Sequence, residues 1–289
     1  MKRLASHLAC FVAALVGIPL LTPAAAQILP RTALNNISAS SNTDACPQPG
    51  GGDSLRSEEL APFHESVAAS HVCEAAAALG GAALESVFSA GEIRAWLLSQ
   101  STADLQQTTG FSIQADSTFA LSFEVAADTA FRLSGRLGSQ GTLTGQVGSL
   151  AFGYQAQVSL VRTAPTNESI VAESVLFNPD GTPLETPILL SGTLVPGTYL
   201  LQVNALNGVA NWTDEPLGGS AQASLRIRFG SICDGDINGD GEVGLGDLAL
   251  LLGEFGSSGG VFDGDLDGDG EVGLADLATL LANFGIACE

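Results

Sequence analysis

From Asp236 to Phe284 the chain repeats itself with a period of 29 residues, and each copy opens on a twelve-residue run crowded with carboxylates. The first run is Asp236-Ile237-Asn238-Gly239-Asp240-Gly241-Glu242-Val243-Gly244-Leu245-Gly246-Asp247. The second is Asp265-Leu266-Asp267-Gly268-Asp269-Gly270-Glu271-Val272-Gly273-Leu274-Ala275-Asp276. Like charges this close repel one another, so the pattern makes physical sense where a cation gathers them. A hard cation such as Ca²⁺ takes about six to eight oxygens. The loop that supplies them uses side chains at positions 1, 3, 5 and 12 and a main-chain carbonyl at position 7. Those positions are Asp236, Asn238, Asp240, Asp247 and Glu242 in loop one, and Asp265, Asp267, Asp269, Asp276 and Glu271 in loop two. Gly241 and Gly270 fill position 6, where the chain bends sharply, and Gly244 and Gly273 leave position 9 to a water. Two Ca²⁺ ions are expected, one per loop.

The frame can be checked. Starting at Asp234 would place Leu245 at position 12, where it has no side-chain oxygen to offer. The same runs contain Gly239-x-Gly241-x-x-Gly244 and Gly268-x-Gly270-x-x-Gly273, a spacing shared with dinucleotide-binding loops. The interleaved aspartates would repel a pyrophosphate, and no strand of a βαβ unit precedes either run. After the loops, Leu248, Leu251, Leu252 and Phe255, then Leu277, Leu280, Leu281 and Phe284, recur at helical spacing. This predicts two short helices whose apolar stripes pack against each other. Loop two carries four side-chain carboxylates and loop one three, because Asn238 is neutral, so charge count makes loop two the tighter site.

Charge bounds the rest of the chain. Its 289 residues hold 31 Asp plus Glu against 10 Lys plus Arg, a net charge of −21, and Lys2 is the single lysine. No basic cluster exists to track a phosphate backbone, which excludes nucleic acid as a partner. Met1-Lys2-Arg3, the apolar run Leu8 to Leu21 and Ala24-Ala25-Ala26 read as a secretory signal peptide over residues 1–26. No later segment reaches spanning length, so no membrane insertion is expected after cleavage, and the location is secreted or cell-surface. Cleavage would remove Lys2 and Arg3 and take the net charge to −23. It would leave Cys46, Cys73, Cys233 and Cys288. An even number in an exported chain suggests two disulfides. Four cysteines allow three connectivities; proximity favours Cys46 with Cys73 and Cys233 with Cys288, and whether Cys233 and Cys288 pair stays open.

Composition divides the mature chain into three parts. Residues 27–58, with Ser38 to Thr43 and Pro47-Gln48-Pro49-Gly50-Gly51-Gly52, read as a linker or leader. Residues 59–230 read as an antiparallel β-sandwich. Phe119, Leu121, Phe123 and Val125 alternate with polar neighbours, as do Tyr154, Ala156, Val158 and Leu160, and Leu225, Ile227 and Phe229. Asn178-Pro179-Asp180-Gly181 and Val195-Pro196-Gly197-Thr198 supply turns. Glu92 to Gln100 fits a helix as well as a strand, and most of residues 70 to 100 is taken as β. Residues 233–289 carry 13 acids and no Lys, Arg or His, a sign asymmetry that marks a separate module. The fold class is therefore mainly β, an antiparallel sandwich followed by a small helical two-loop module.

The duplicated loop-and-helix units resemble a dockerin, the bacterial module by which secreted enzymes plug into cohesin domains. No helix enters the first loop, position 12 is Asp, and a short linker joins two loop–helix units, which separates them from a paired EF-hand. Cys233 and Cys288 at the ends resemble a cysteine-bounded variant of the family. Where well-known members carry a hydroxyl pair at positions 10 and 11, this chain has Leu245-Gly246 and Leu274-Ala275. The resemblance implies two bound Ca²⁺ ions and a partner, a cohesin-like domain or other envelope protein, engaged through residues 233–289.

For residues 59–230 two roles compete. One is a non-catalytic surface protein displayed through the C-terminal module. The other is a carbohydrate-binding or polysaccharide-degrading component, a glycoside hydrolase if an enzyme at all. Hydrolysis of a glycosidic bond needs two facing carboxylates. Glu124, Asp128, Glu168, Glu173, Glu185, Asp214 and Glu215 offer many pairs and single out none. Trp212, in an expected loop from Asn204 to Gly219, could stack on a sugar. His64 and His71, with Glu65, Cys73 and Glu74 nearby, meet no zinc spacing. With no His after residue 71, a catalytic triad lacks candidates, and the chain reads as non-catalytic.

Overall fold

The structure, a computed structural model, describes residues 28–44, 46–73, 76–105, 109–142, 153–176, 182–213, 217–230, 233–238, 240–258 and 262–288. The side chains of residues 105, 109, 142, 210–213 and 217 stand outside that description. So do the expected signal peptide, the turn at 178–181, Glu74, Asp214 and Glu215.

Among the described residues, twelve strands form two six-stranded sheets with every pairing antiparallel. Sheet A runs β2(Gly51–Ser57), β1(Ile28–Thr43), β6(Thr109–Val125), β11(Gly197–Thr213), β8(Gly153–Ala164), β9(Glu168–Leu176). Sheet B runs β10(Leu184–Leu194), β7(Thr129–Thr142), β12(Leu217–Phe229), β5(Glu92–Leu105), β4(Ala76–Phe88), β3(Phe63–Cys73). The sheets pack face to face as a β-sandwich. Their inward positions supply one core, with Phe119, Leu121, Phe123, Tyr154, Tyr199, Leu97, Leu133 and Ile93 fully buried. Phe123 stacks on Tyr199 at 5.5 Å between centroids and meets Phe229 edge-on at 5.6 Å.

Period-two patterning therefore places β6, β8 and β12 where expected, and the ambiguous Glu92 to Gln100 is strand. Two boundaries differ from expectation. The segment read as a leader at 27–58 contributes β1 and β2, and β1 pairs with β6 along its length from Ile28 to Thr43. Its inward positions include Asn35, Ser41 and Thr43 beside Ile37 and Ala39, so hydrophobic alternation is muted. Two groups of this strand bond to sheet B: Ser86 Oγ donates to Asn35 Oδ1 at 2.8 Å, and the Thr43 amide donates to His71 Nδ1 at 3.0 Å. The Cys46–Cys73 disulfide closes this corner, with 5.7 Å between Cα atoms. The expected loop from Asn204 is strand as far as Thr213, in register with β6, so the Trp212 backbone is a ladder position opposite Gly110.

After Gly230 the chain carries two short helices, α1(Leu245–Glu254) and α2(Leu274–Ala282), around a second small core of Val243, Leu251, Leu266, Val272 and Leu280. The expected stripe-on-stripe packing is only half realised. Leu251 and Leu280 are buried and Leu248 and Leu277 pack at the margin, whereas Leu252, Phe255, Leu281 and Phe284 are exposed. Helices this short offer one inward turn each, and valines and a leucine from the loops fill the space between them. The Cys233–Cys288 disulfide joins the ends of this segment, 5.4 Å apart at Cα. Among the described residues no helix is long and apolar enough to cross a membrane.

Candidate metal centre

Each acidic run folds into a loop closed by the same hydrogen bonds. The Gly241 amide donates to Asp236 Oδ2 at 3.1 Å, and the Gly270 amide to Asp265 Oδ2 at 3.0 Å. Both glycines take the left-handed backbone, φ +91° and +86°, which a side chain would strain. Amides two residues ahead hold the next side chains: Asp240 to Asn238 Oδ1 at 2.9 Å, Glu242 to Asp240 Oδ1 at 3.0 Å, Asp269 to Asp267 Oδ1 at 3.1 Å and Glu271 to Asp269 Oδ1 at 2.9 Å. The Glu242 and Glu271 side chains are exposed.

Asp247 and Asp276 stand in the first turns of α1 and α2 and tie each helix to its loop. Asp247 Oδ1 accepts from the amides of Ile237 and Asn238 at 2.6 and 2.9 Å, and its Oδ2 from Gly244 at 2.7 Å. Asp276 repeats the set with Leu266, Asp267 and Gly273 at 2.7, 3.2 and 2.7 Å. Such a carboxylate caps the helix and complements its dipole.

These bonds leave carboxylate oxygens converging. One oxygen each from Asp236, Asp240 and Asp247 lie within 4.8 Å of one another, and so do oxygens of Asp265, Asp267 and Asp269. The electrostatics register the crowding in loop two. Burial, and then the neighbouring Asp276 and Asp267, push Asp265 up to about 7 despite the amides of Gly270 and Gly268. Burial followed by Asp276 and Asp269 also raises Asp267. Burial would raise Asp247 too, but the amides of Gly244, Asn238 and Ile237 outweigh it and hold that carboxyl below its usual range. All-oxygen, multiply anionic loops of this kind fit a hard divalent cation rather than a soft one.

The second loop is seated on the outer face of sheet B. Ser224 Oγ donates to the Gly268 carbonyl at 2.7 Å, and Arg226 Nη1 donates to the carbonyls of Asp263 and Asp265 at 2.9 and 2.8 Å. Arg94 pairs with Asp263 at 2.7 Å, Arg136 with Asp269 at 3.3 Å, and Arg132 with Asp234. Arg228 Nη1 reaches the Cys233 carbonyl at 3.5 Å. Burial, and then Arg226, bring the Arg228 guanidinium down to about 10. Sequence reasoning puts Arg226 and Arg228 on the outward positions of a strand but assigns them no partner. The signal is in the charge map, with arginines on alternate strand positions and a tail holding only acids.

Among the described residues the other sequence candidates do not assemble into a site. Glu124 pairs with Arg31, Glu168 with Arg162 and Glu185 with Arg136, each on a different strand. His71 is buried as the acceptor for Thr43, while His64 lies at the exposed far end of β3, 3.4 Å from Glu85. The only groups of three or more acidic, His or Cys ligands among the described residues are the two in the loops.

No family model matches the chain, and no curated protein matches it. Among solved structures, infectious bursal disease virus Gt strain aligns over 69% of this chain and 57% of that one, at 12% identity and a TM-score of 0.23. The Gx strain of the same virus aligns over 72% and 57%, at 13% identity and a TM-score of 0.24. The enzymatically active domain of bacteriophage CBA120 tailspike protein 4 aligns over 46% and 19%, at 12% identity and 0.20. The chain thus spans less than two thirds of the length of each, and likenesses at these scores carry no argument about its fold or role.

Proposed function

We propose that residues 233–289 form a dockerin-like module that binds two Ca²⁺ ions and joins an exported, non-catalytic β-sandwich to a cohesin-like domain or other envelope protein. The observation that carries this reading is the convergence of three carboxylates within 4.8 Å in each of two repeat-related loops. Asp236, Asn238, Asp240, Asp247 and the Glu242 carbonyl would hold one ion. Asp265, Asp267, Asp269, Asp276 and the Glu271 carbonyl would hold the other. Support for a protein partner comes from the repeat's exposed apolar residues. Leu245 and Leu274, at loop position 10, are 75% and 76% exposed, and Leu252 with Leu281 and Phe255 with Phe284 are also left open. Repeat-related apolar pairs of this size at the surface are what a docking face requires. The arginine pairing of Glu124, Glu168 and Glu185 supports a non-catalytic sandwich.

The test is a calorimetric titration of the full chain with CaCl₂ after chelator treatment, followed by capture of partners from the secreted fraction with and without chelator. Two ions per chain and a calcium-dependent partner are expected. A chain that binds no calcium sinks the reading.

One observation favours glycan binding by the sandwich as a second reading. An open groove of about 340 Å³ on sheet B is lined by Trp96, Glu85, His64 and Glu65, an aromatic face beside hydrogen-bonding groups. Affinity electrophoresis in polysaccharide gels, comparing the chain with a Trp96→Ala variant, tests it; equal mobility of the two in every gel removes it.

A further inference from the structure

The two loops share a motif and differ in setting. Loop one faces solvent, with Asn238 and Asp240 exposed, and a Cβ built on Gly241 meets nothing within 4 Å. On that side Arg132 pairs with Asp234 and Arg228 reaches the Cys233 carbonyl, both ahead of the loop, and Arg228 also feels the charge of Asp236 at the loop's first position. Loop two is pressed onto sheet B. A Cβ on Gly268 would stand 2.7 Å from the Gly135 nitrogen and the Ser134 carbonyl carbon, and Asp265, Gly268 and Gly270 are buried. Gly268 also takes φ +78°, so two independent constraints keep that position a glycine.

We propose that the outer face of sheet B is a working part of the second metal site: Ser224 and Arg226 are positioning residues that hold the main chain of loop two in its ion-binding form. Calcium occupancy of that loop and docking of the C-terminal segment on the sandwich are then one coupled equilibrium. This rests on the calcium reading above and goes beyond it, since a loop of this motif is ordinarily self-contained.

The contacts fall where they matter. The held carbonyls of Asp263, Asp265 and Gly268 span the stretch that carries Asp265 and Asp267, and the last adjoins Asp269. Arg226 is itself fixed, being 5% exposed and bonded through Nε to Glu92. A loop whose main chain is already held loses less conformational freedom when the ion arrives. By linkage, the ion that orders the loop strengthens the docking by the same factor. Arg136 acts in the opposite sense. Its guanidinium, 3.3 Å from Asp269, offsets the extra carboxylate that Asp267 gives loop two, so charge count alone no longer ranks the sites.

Uncharged variants of Ser224 isolate the positioning effect from this charge effect. Ser224 points outward from β12, so Ser224→Ile suits the strand yet fills the space that Gly268 occupies, and Ser224→Ala deletes only the hydroxyl bond. Calcium titration of the full chain is expected to show one of two sites weakened about tenfold or more by Ser224→Ile, with the other within about twofold of wild type. Ser224→Ala should weaken the same site by about three- to tenfold. Small-angle scattering supplies a readout that a passive contact would not move. Chelated wild type and calcium-loaded Ser224→Ile should both show a larger radius of gyration than calcium-loaded wild type. Unchanged affinities in a Ser224→Ile protein with intact strand dichroism, or equal weakening of both sites, would overturn the proposal. Should Ser224→Ile fail to fold, unchanged affinities in Ser224→Ala overturn it instead. A wild-type chain that takes up no calcium is a different result, and removes the calcium reading along with this one.

Discussion

The amide of Gly285, beyond the second helix, donates to the carbonyl of Val243, inside the first loop, at 2.8 Å. The bond has a counterpart in the amide of Gly256, beyond the first helix, which donates to the Val272 carbonyl in the second loop at 2.8 Å. Each loop is therefore tied to the tail of the other unit, and the isolated bridges Glu242 to Ala287 and Ser258 to Glu271 extend the exchange. Neither unit can close its core alone.

It follows that the two helices unfold together. Val243→Ala removes methyls from a position with no exposure in a core of five buried side chains. The expected cost is about 2 kcal/mol, large for so small a core. Hydrogen exchange should show the amides of Leu251 in α1 and Leu280 in α2 losing protection in parallel. Fast exchange confined to α1 would mean that the units fold separately.

Tyr154 provides a second test, inside the sandwich. Its ring, projecting from β8 in sheet A, fills the space above two glycines of sheet B. A Cβ on Gly219 would stand 2.3 Å from ring carbons, and one on Gly141 2.0 Å. Gly141→Ala, whose Cβ would meet ring atoms of Tyr154, should cost about 1–3 kcal/mol by overpacking, read as a lower denaturation midpoint. Made in a Tyr154→Leu background, the same change should cost much less; an undiminished cost there would trace the loss elsewhere than the ring.

Asp116 on β6 gives a pH prediction. Burial raises its carboxyl above the usual range, against the pull of Gln114 and the Asn207 amide. A raised folded value means the folded state holds the proton more tightly than the unfolded one. The group therefore favours folding at acid pH, and that contribution is lost as pH rises from the unfolded value through the folded one. Asp116→Asn should gain stability relative to wild type at pH 7, with the difference shrinking as the pH falls toward the unfolded value. Parallel stability curves for the two proteins from neutral to acid pH would contradict it.

The strands built on large apolar alternation, Phe119 to Val125, Tyr154 to Leu160 and Leu225 to Phe229, are legible because each inward residue is itself hydrophobic. The first strand is not, because Asn35, Ser41 and Thr43 point inward; Asn35 Oδ1 accepts from Ser86, 51 residues away, and the Thr43 amide donates to His71, 28 residues away. Trp212 reads as a loop residue for a similar reason: Asn204, Asn207, Gly208 and Asn211 look like turn residues until β6 pairs with them throughout.

The loops are the reverse case. The acids that converge, Asp236, Asp240 and Asp247 in one and Asp265, Asp267 and Asp269 in the other, lie within twelve positions of the first, so spacing marks them and where glycine must stand. Asp276, expected with them, is taken up by the amides of Leu266, Asp267 and Gly273. Local geometry is written in local sequence. What only the tertiary structure decided is that the two copies are unequal. One is largely open to solvent, and the other is seated on Ser224, Arg226 and Arg136, which lie 37 to 133 residues away from the groups they touch there. Repeat arithmetic makes the loops twins, since it counts ligands. Their surroundings differ because a sheet assembled from distant strands sets an arginine-bearing face against one loop and leaves Asn238 and Asp240 of the other exposed.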